Sequence, residues 1–276
     1  MSTWLITGCS TGLGRALAEA VLARGDEVVV TARDASRVQD LADAHPGTAL
    51  ALSLDVTDRA QVAQAVGAAE ERFGGVDVLV NNAGYGYRAA VEEGDDDDVQ
   101  RLFDTNVFGA VSMVKAVLPG MRRRRSGAIV NVSSIGARIC PAGSGYYAAS
   151  KAALEGLTGS LRAELRPLGI TVMAVEPGAF RTDFSGRSLT QSAQPIDDYA
   201  DTAGRRRKEH DSTHGTQPGD PAKAAQALLA ALDAPEVPAM LVLGPDALTA
   251  LSGVLDAQRA ELEAWRDLSA STDLEA

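Results

Sequence analysis

The sequence predicts a single doubly wound α/β domain with a parallel sheet of about seven strands. Three observations carry that prediction. Short apolar runs alternate with amphipathic helical stretches from Thr3 to Leu243, and such alternation demands crossover connections and therefore parallel strands. The first apolar run ends in a glycine turn, Gly8-Cys9-Ser10-Thr11-Gly12-Leu13-Gly14, that opens straight into a helix. The chain has 276 residues, 45% of them hydrophobic, enough for one large core.

Thr3–Thr7 reads as the first strand, and Leu13, Leu17 and Val21 repeat at i, i+4 and i+8 in the helix after it. Strand, glycine turn and helix together aim backbone N–H groups and a helix dipole at a phosphate. The spacing is Gly-x-x-x-Gly-x-Gly rather than the common Gly-x-Gly-x-x-Gly. Further strands are expected at Glu27–Thr31, Ala49–Leu52, Val76–Val80, Ala128–Val132, Thr171–Val175 and Met240–Leu243. Helices are expected at Arg59–Phe73, from the acidic run Asp95–Asp98 toward Met121 with a break near Asn106, at Tyr147–Arg166, and from Pro221 to Leu232. Negative charge at 95–98 and the arginines at 122–125 suit opposite helix ends. Asp220-Pro221 reads as an N-cap followed by proline in the first turn. Residues 183–219 show no sustained period and carry scattered glycine and proline, the signature of a substrate lid. The domain is thus 1–245, and 246–276 forms a C-terminal amphipathic helix and tail packed on the domain or on a partner subunit.

Composition excludes several classes. A net charge of −11 argues against a general nucleic-acid binder. No apolar run reaches membrane-spanning length, and the N-terminus lacks the basic region of a secretory signal. Two cysteines, Cys9 and Cys140, make no disulfide framework, which suits the cytoplasm. His210 and His214 are four apart without a supporting ligand motif, so no metal is expected.

Chemistry concentrates between Ser133 and Lys151. On a helix, Tyr147 and Lys151 project from one face, and a cation there favours the phenolate. A phenol tuned toward working pH is a usable general acid or base. Ser134 follows a strand, at the carboxyl end where open α/β sheets bind ligands. Taken alone, Tyr-x-x-x-Lys also occurs on ordinary exposed helices.

Taken together, Thr7–Gly14 (TGCSTGLG), Asn81–Gly84 (NNAG), Asn106, Ser134, Tyr147-x-x-x-Lys151 and Pro177-Gly178 up to Thr182 resemble the short-chain dehydrogenase/reductase family over residues 3 to about 244. The resemblance implies a Rossmann-type domain that interconverts a carbonyl and a secondary alcohol by hydride transfer. It implies that Tyr147 exchanges the proton, Ser134 holds the substrate oxygen, Lys151 lowers the phenol pKa and holds the nicotinamide ribose, and Asn106 anchors a water. Ser133 and Tyr146 compete for two of these roles, but their spacings are off by one. It also implies a cofactor site made by Gly8, Ser10, Thr11, Gly12, Leu13, Gly14, Asp55, Val56, Asn82, Ala83, Gly84, Pro177, Gly178 and Thr182, besides Tyr147 and Lys151.

NADP(H) is expected over NAD(H), because the second strand ends in Ala32-Arg33 rather than a carboxylate, and a guanidinium suits a 2′-phosphate. Asp34 either repels that phosphate or pairs with Arg33. Tyr85, Tyr87, Ile139 and Phe180 are expected to meet an apolar substrate, or else to pack beneath the lid. A homodimer or homotetramer is expected through the helices around 99–118 and 148–165, rich in small residues such as Ala110, Ala116, Ala152, Ala153, Gly156 and Gly159. The competing readings are a non-catalytic NAD(P)-binding regulator and a nucleotide-sugar epimerase or dehydratase.

Overall fold

The computed structural model describes residues 1–186, 188–213 and 215–274. In chain order it runs β1 (Thr3–Ile6), α1 (Gly12–Ala23), β2 (Glu27–Ala32), α2 (Gln39–Ala44), β3 (Ala49–Ser53), α3 (Arg59–Phe73), β4 (Val78–Asn81), β5 (Gly86–Arg88), α4 (Asp96–Phe103) and α5 (Ala110–Arg124). It continues through β6 (Gly127–Val132), α6 (Gly136–Ile139), α7 (Gly145–Leu165), β7 (Ile170–Pro177), β8 (Leu189–Gln191), α8 (Ala203–Thr213), α9 (Pro221–Leu232), β9 (Met240–Leu243), α10 (Pro245–Ala264) and α11 (Arg266–Ala270).

Seven strands form one parallel sheet in the order β3-β2-β1-β4-β6-β7-β9. The chain steps outward from β1 in one direction and then from β4 in the other, so the crevice for a ligand opens between those two strands. Side chains alternate across the pleat. Trp4 and Ile6 of β1 join the core beneath α1 and α9, whereas Leu5 joins the core beneath α3 and α5. A buried polar chain pins α7 to the sheet: Asn81 Nδ2 donates to Asn131 Oδ1 at 2.8 Å, and Asn131 Nδ2 donates to Thr158 Oγ1 at 2.9 Å.

Helix starts follow the charge pattern. Asp58, Asp95 and Asp220 each accept a backbone N–H at the N-terminus of α3, α4 and α9. Arg122, Arg123 and Arg124 fill the last turn of α5. The expected break near Asn106 is a π-helical turn, Asp104–Gly109, between α4 and α5. α10 buries only Ala247 and Leu251. Among the described residues, no helix is long and apolar enough to cross a membrane.

The segment 183–219 departs from the aperiodic lid expected of it. It contains β8 and α8 as well as two short 3-10 turns, and β8 pairs in parallel with β5. Its anchor is Glu93, buried to 4% exposure. Glu93 accepts the N–H groups of Ala90 at 2.7 Å and Ile196 at 2.8 Å, and Arg207 of α8 closes on both its oxygens. The sequence conceals this because a single buried ion pair, not periodicity, organises the segment. Residues 187 and 214, and with the latter His214, lie outside the described residues.

Burial opposes the Glu93 charge, but Arg207 and the two N–H groups outweigh it and hold the carboxyl down to about 2. That stabilisation is present above the ordinary carboxylate value and is lost as pH falls through about 2. Glu93→Gln should strand Arg207 and cost about 3 kcal/mol locally, speeding amide exchange at Ile196 roughly 100-fold. Unchanged exchange there would show that the pair does not hold the segment.

Candidate active site

Ser134 follows β6, and α7 passes alongside with Tyr147, Lys151 and Glu155 at i, i+4 and i+8 of one face. The Ser134 hydroxyl hydrogen-bonds the Tyr147 phenol and accepts the Gly136 N–H at 3.0 Å. Ser133 points elsewhere, donating to Glu155 Oε1 at 2.6 Å. Tyr146 also turns away, donating to Val91 O at 2.7 Å.

Tyr147 is buried, and burial pushes its phenol up, against the opposing pull of Ser134 and the Arg88 charge. Lys151 is not among the groups that lower it. The ammonium instead donates to Val132 O at 2.8 Å and lies 6.0 Å from the Tyr147 ring centroid. Burial draws Lys151 itself down to about 8, with the Glu155 charge resisting.

Asn106 is buried in the π-helical turn. Its Oδ1 accepts Tyr85 N–H at 3.0 Å, and its Nδ2 donates to Tyr85 O at 2.9 Å and Ser150 Oγ at 3.1 Å. The side chain therefore clamps the β4–β5 loop to α7. Gly84 completes this junction: a Cβ there would come 3.0 Å from Asn106 Oδ1 and 3.3 Å from Lys151 Nζ.

The glycine turn fits a pyrophosphate. Gly8 and Gly12 adopt φ of +73° and +65°, and a Cβ on Gly14 would strike Asn82 Nδ2 at 2.4 Å. Thr11 starts α1 without a side-chain cap, and the first turn carries no acidic residue, so neither competes with an anion for its N–H groups. Asn82 Nδ2 braces the turn by donating to Thr7 O and Gly8 O, while Thr7 Oγ1 accepts the N–H groups of Asn82 and Ala83. Thr182 sits over Gly12, whose Cβ would lie 3.2 Å from the Thr182 Cβ. Ser10 is half-buried in the same turn, and Leu13 packs on the core.

Farther out, Asp55 accepts Thr57 N–H and Oγ1–H, and Val56 is buried against Gly109. Pro177 O accepts Ile135 N–H, and Gly178 is crowded by the Asp246 carboxylate, which a Cβ would meet at 2.4 Å. Arg33 is exposed at the end of β2. Asp34 does not pair with it; the Ser36 hydroxyl and N–H, helped by Arg37, hold that carboxyl below its ordinary value.

The four residues expected to meet substrate separate. Tyr85 is half-buried beside the Asn106 clamp, and Ile139 is exposed on α6. Tyr87 is 1% exposed, packed with Ala89 and Leu102 while its hydroxyl accepts Asp95 N–H, so it supports the wall rather than lining it. Phe180 packs on the core and over Gly219, not toward Tyr147. The aromatic ring beside Tyr147 is Phe184, with centroids 5.7 Å apart. It lies in the segment after Thr182, where no period marks it.

A family model described as short chain dehydrogenase matches residues 2–193. A short-chain dehydrogenase from Streptomyces avermitilis has 45% identity and a TM-score of 0.92, over 99% of this chain and 100% of that one. The Botryotinia fuckeliana protein named oxidoreductase BOA17 is 39% identical over 267 residues, 96% of this chain and 97% of its own length. A Burkholderia phymatum short-chain dehydrogenase/reductase solved in complex with NAD aligns at 26% identity and a TM-score of 0.83, covering 95% of both chains. The chain belongs to the short-chain dehydrogenase family.

Proposed function

We propose that this chain is an NADP(H)-dependent oxidoreductase that interconverts a carbonyl and a secondary alcohol on an apolar small molecule. The observation that carries this reading is the convergence of a buried phenol, the Ser134 hydroxyl and the Lys151 ammonium beside a glycine cradle open to an anion. Gly8, Gly12 and Gly14 hold the pyrophosphate, Asn82 and Thr182 flank it, and Lys151 meets the ribose. Bound there, the nicotinamide supplies the hydride, and the protein orients and polarises.

Ser134 holds the carbonyl oxygen and steadies its developing charge. Tyr147, like any phenol, is protonated at neutral pH, and burial favours that form further, so it has a proton to donate to that oxygen during reduction. Phe184 and Tyr85 give the substrate side its apolar character.

Assembly fits the exposed face of α7. Ala152, Gly156, Leu157 and Gly159 are exposed there, and Phe108, within the π-helical turn, is 55% exposed. Ala110 is buried and Ala116 packs on the core beneath α3 and α5. This surface supports a homodimer or homotetramer.

Tyr147→Phe should abolish turnover of NADPH with ketones while leaving NADPH binding within about two-fold, because it deletes one hydroxyl and little volume. Turnover near the wild-type rate would show that another group handles the proton.

Cofactor preference rests on Arg33, which no carboxylate engages among the described residues. Losing its charge-assisted contacts to a 2′-phosphate costs roughly 1.5–3 kcal/mol, so Arg33→Ala should weaken NADPH binding roughly 10- to 150-fold. NADH affinity should hardly change, and the NADPH effect should shrink with added salt. Equal losses for both cofactors, or none for either, would remove Arg33 from the site.

A further inference from the structure

Directly behind the proposed site lies a buried charge cluster that no step above uses. It joins Ser133 at the end of β6, Arg138 of α6, Glu155 of α7 and Glu176 of β7. Each is close in sequence to a site residue: Ser133 precedes Ser134, Glu155 lies one turn beyond Lys151, and Glu176 precedes Pro177.

The hydrogen-bond inventory is one proton short. Glu176 is 0% exposed; its Oε1 accepts from Arg138 Nε at 3.3 Å and from an Arg138 terminal nitrogen at 3.0 Å. Its Oε2 is buried with no donor among the described residues. Glu155, 10% exposed, accepts Ser133 Oγ–H at 2.6 Å on Oε1 and pairs with Arg138 at 3.0 Å on Oε2. The Glu155 carboxyl is also within hydrogen-bond reach of Glu176. Two ionised carboxylates facing one partly exposed guanidinium would leave a buried negative charge uncompensated, which is costly. A single proton held between the two carboxyls removes the excess charge.

We propose that Glu155 carries a proton shared with Glu176 at neutral pH, and that Glu155 acts as a positioning residue whose charge state sets the protonation of Lys151. The assignment rests on the role given to Lys151 above. Burial and the neighbouring Glu176 charge push the Glu155 carboxyl up to about 7, against Ser133 and Arg138. As pH rises through that value, the carboxylate appears one helical turn from Lys151 and supports its ammonium, which burial draws down to about 8 even with that support. The charged groups facing Glu155 are Arg138 from α6 and Glu176 from β7, with Lys151 on its own helix.

The test is the NADPH dissociation constant of the full chain from about pH 6 to about pH 9, measured calorimetrically, so that no substrate is needed. In the wild type, affinity should fall as pH passes about 8. Glu155→Gln cannot ionise, so its limb should move roughly one pH unit toward acid. Glu164→Gln, an exposed change on the same helix, should leave the limb in place. The folded-state carboxyl is raised, so wild-type stability should decline as pH rises through about 7, and Glu155→Gln should lack that decline. If Glu155→Gln does not fold, Glu176→Gln serves: with a neutral neighbour Glu155 ionises earlier, and the limb should not move toward acid. A limb unmoved in Glu155→Gln, or affinity lost equally at every pH, overturns the proposal while Lys151→Met still weakens binding. If Lys151→Met has no effect at any pH, the Lys151 role itself fails and takes the proposal with it.

Discussion

An ammonium buried to 4% exposure is the constraint around which the site is arranged. Lys151 is removed from water, and such a charge survives only where oxygen atoms replace its hydration. Val132 supplies one carbonyl, and the Glu155 carboxyl lies one turn along the helix. Both partners are dictated by architecture. Val132 is the last residue of β6, and Glu155 shares the α7 face, so the lysine is satisfied only while that helix lies across that strand end. The Asn81–Asn131–Thr158 hydrogen-bond chain holds it there from below. Tyr147, one turn before Lys151, is placed against Ser134 by the same contact.

The second support comes from the opposite direction. The π-helical turn widens the α4–α5 path and drives Asn106 into the junction between the β4–β5 loop and α7. Such turns are irregular and persist where a function or a packing demand holds them. Here Gly109, packed against Val56, and Gly84, packed against Asn106, show how little room the junction leaves. The glycine turn after β1 meets this junction through Asn82, so that turn and the Ser134–Tyr147–Lys151 centre share one wall.

Much of this was legible in the sequence. All seven strands of the main sheet, the uncapped glycine turn, the helix starts at Asp58, Asp95 and Asp220, and the irregularity at Asn106 each have a local signature in residue type or spacing. What escaped were features set by distant partners. The Glu93–Arg207 pair spans 114 positions, so no local window reveals that it organises residues 183–219. Phe184 carries no periodic signal, and for Tyr87 and Phe180 the sequence leaves two readings open, pocket lining or packing, because apolar aromatics look alike whether they line a cleft or fill one. The sign of the Tyr147 shift was missed for a related reason. A cation four residues away is visible in the sequence, but burial of the phenol and the turning of that cation toward Val132 are not. Glu155, by contrast, continues the Tyr147–Lys151 spacing by one more turn, and extending that face would have found it.

The central claim is that Tyr147 is the proton donor, a phenol that burial raises and Ser134 draws back down. Carbon-13 labelling of the tyrosine ring carbons, with the Tyr147 signal assigned by its absence in Tyr147→Phe, reads that ionisation directly. The phenol should ionise above the ordinary tyrosine value, and Ser134→Ala should drive it higher still, because the serine hydrogen bond favours the phenolate. A Tyr147 signal that titrates at or below the ordinary value, or one indifferent to Ser134→Ala, would contradict the account.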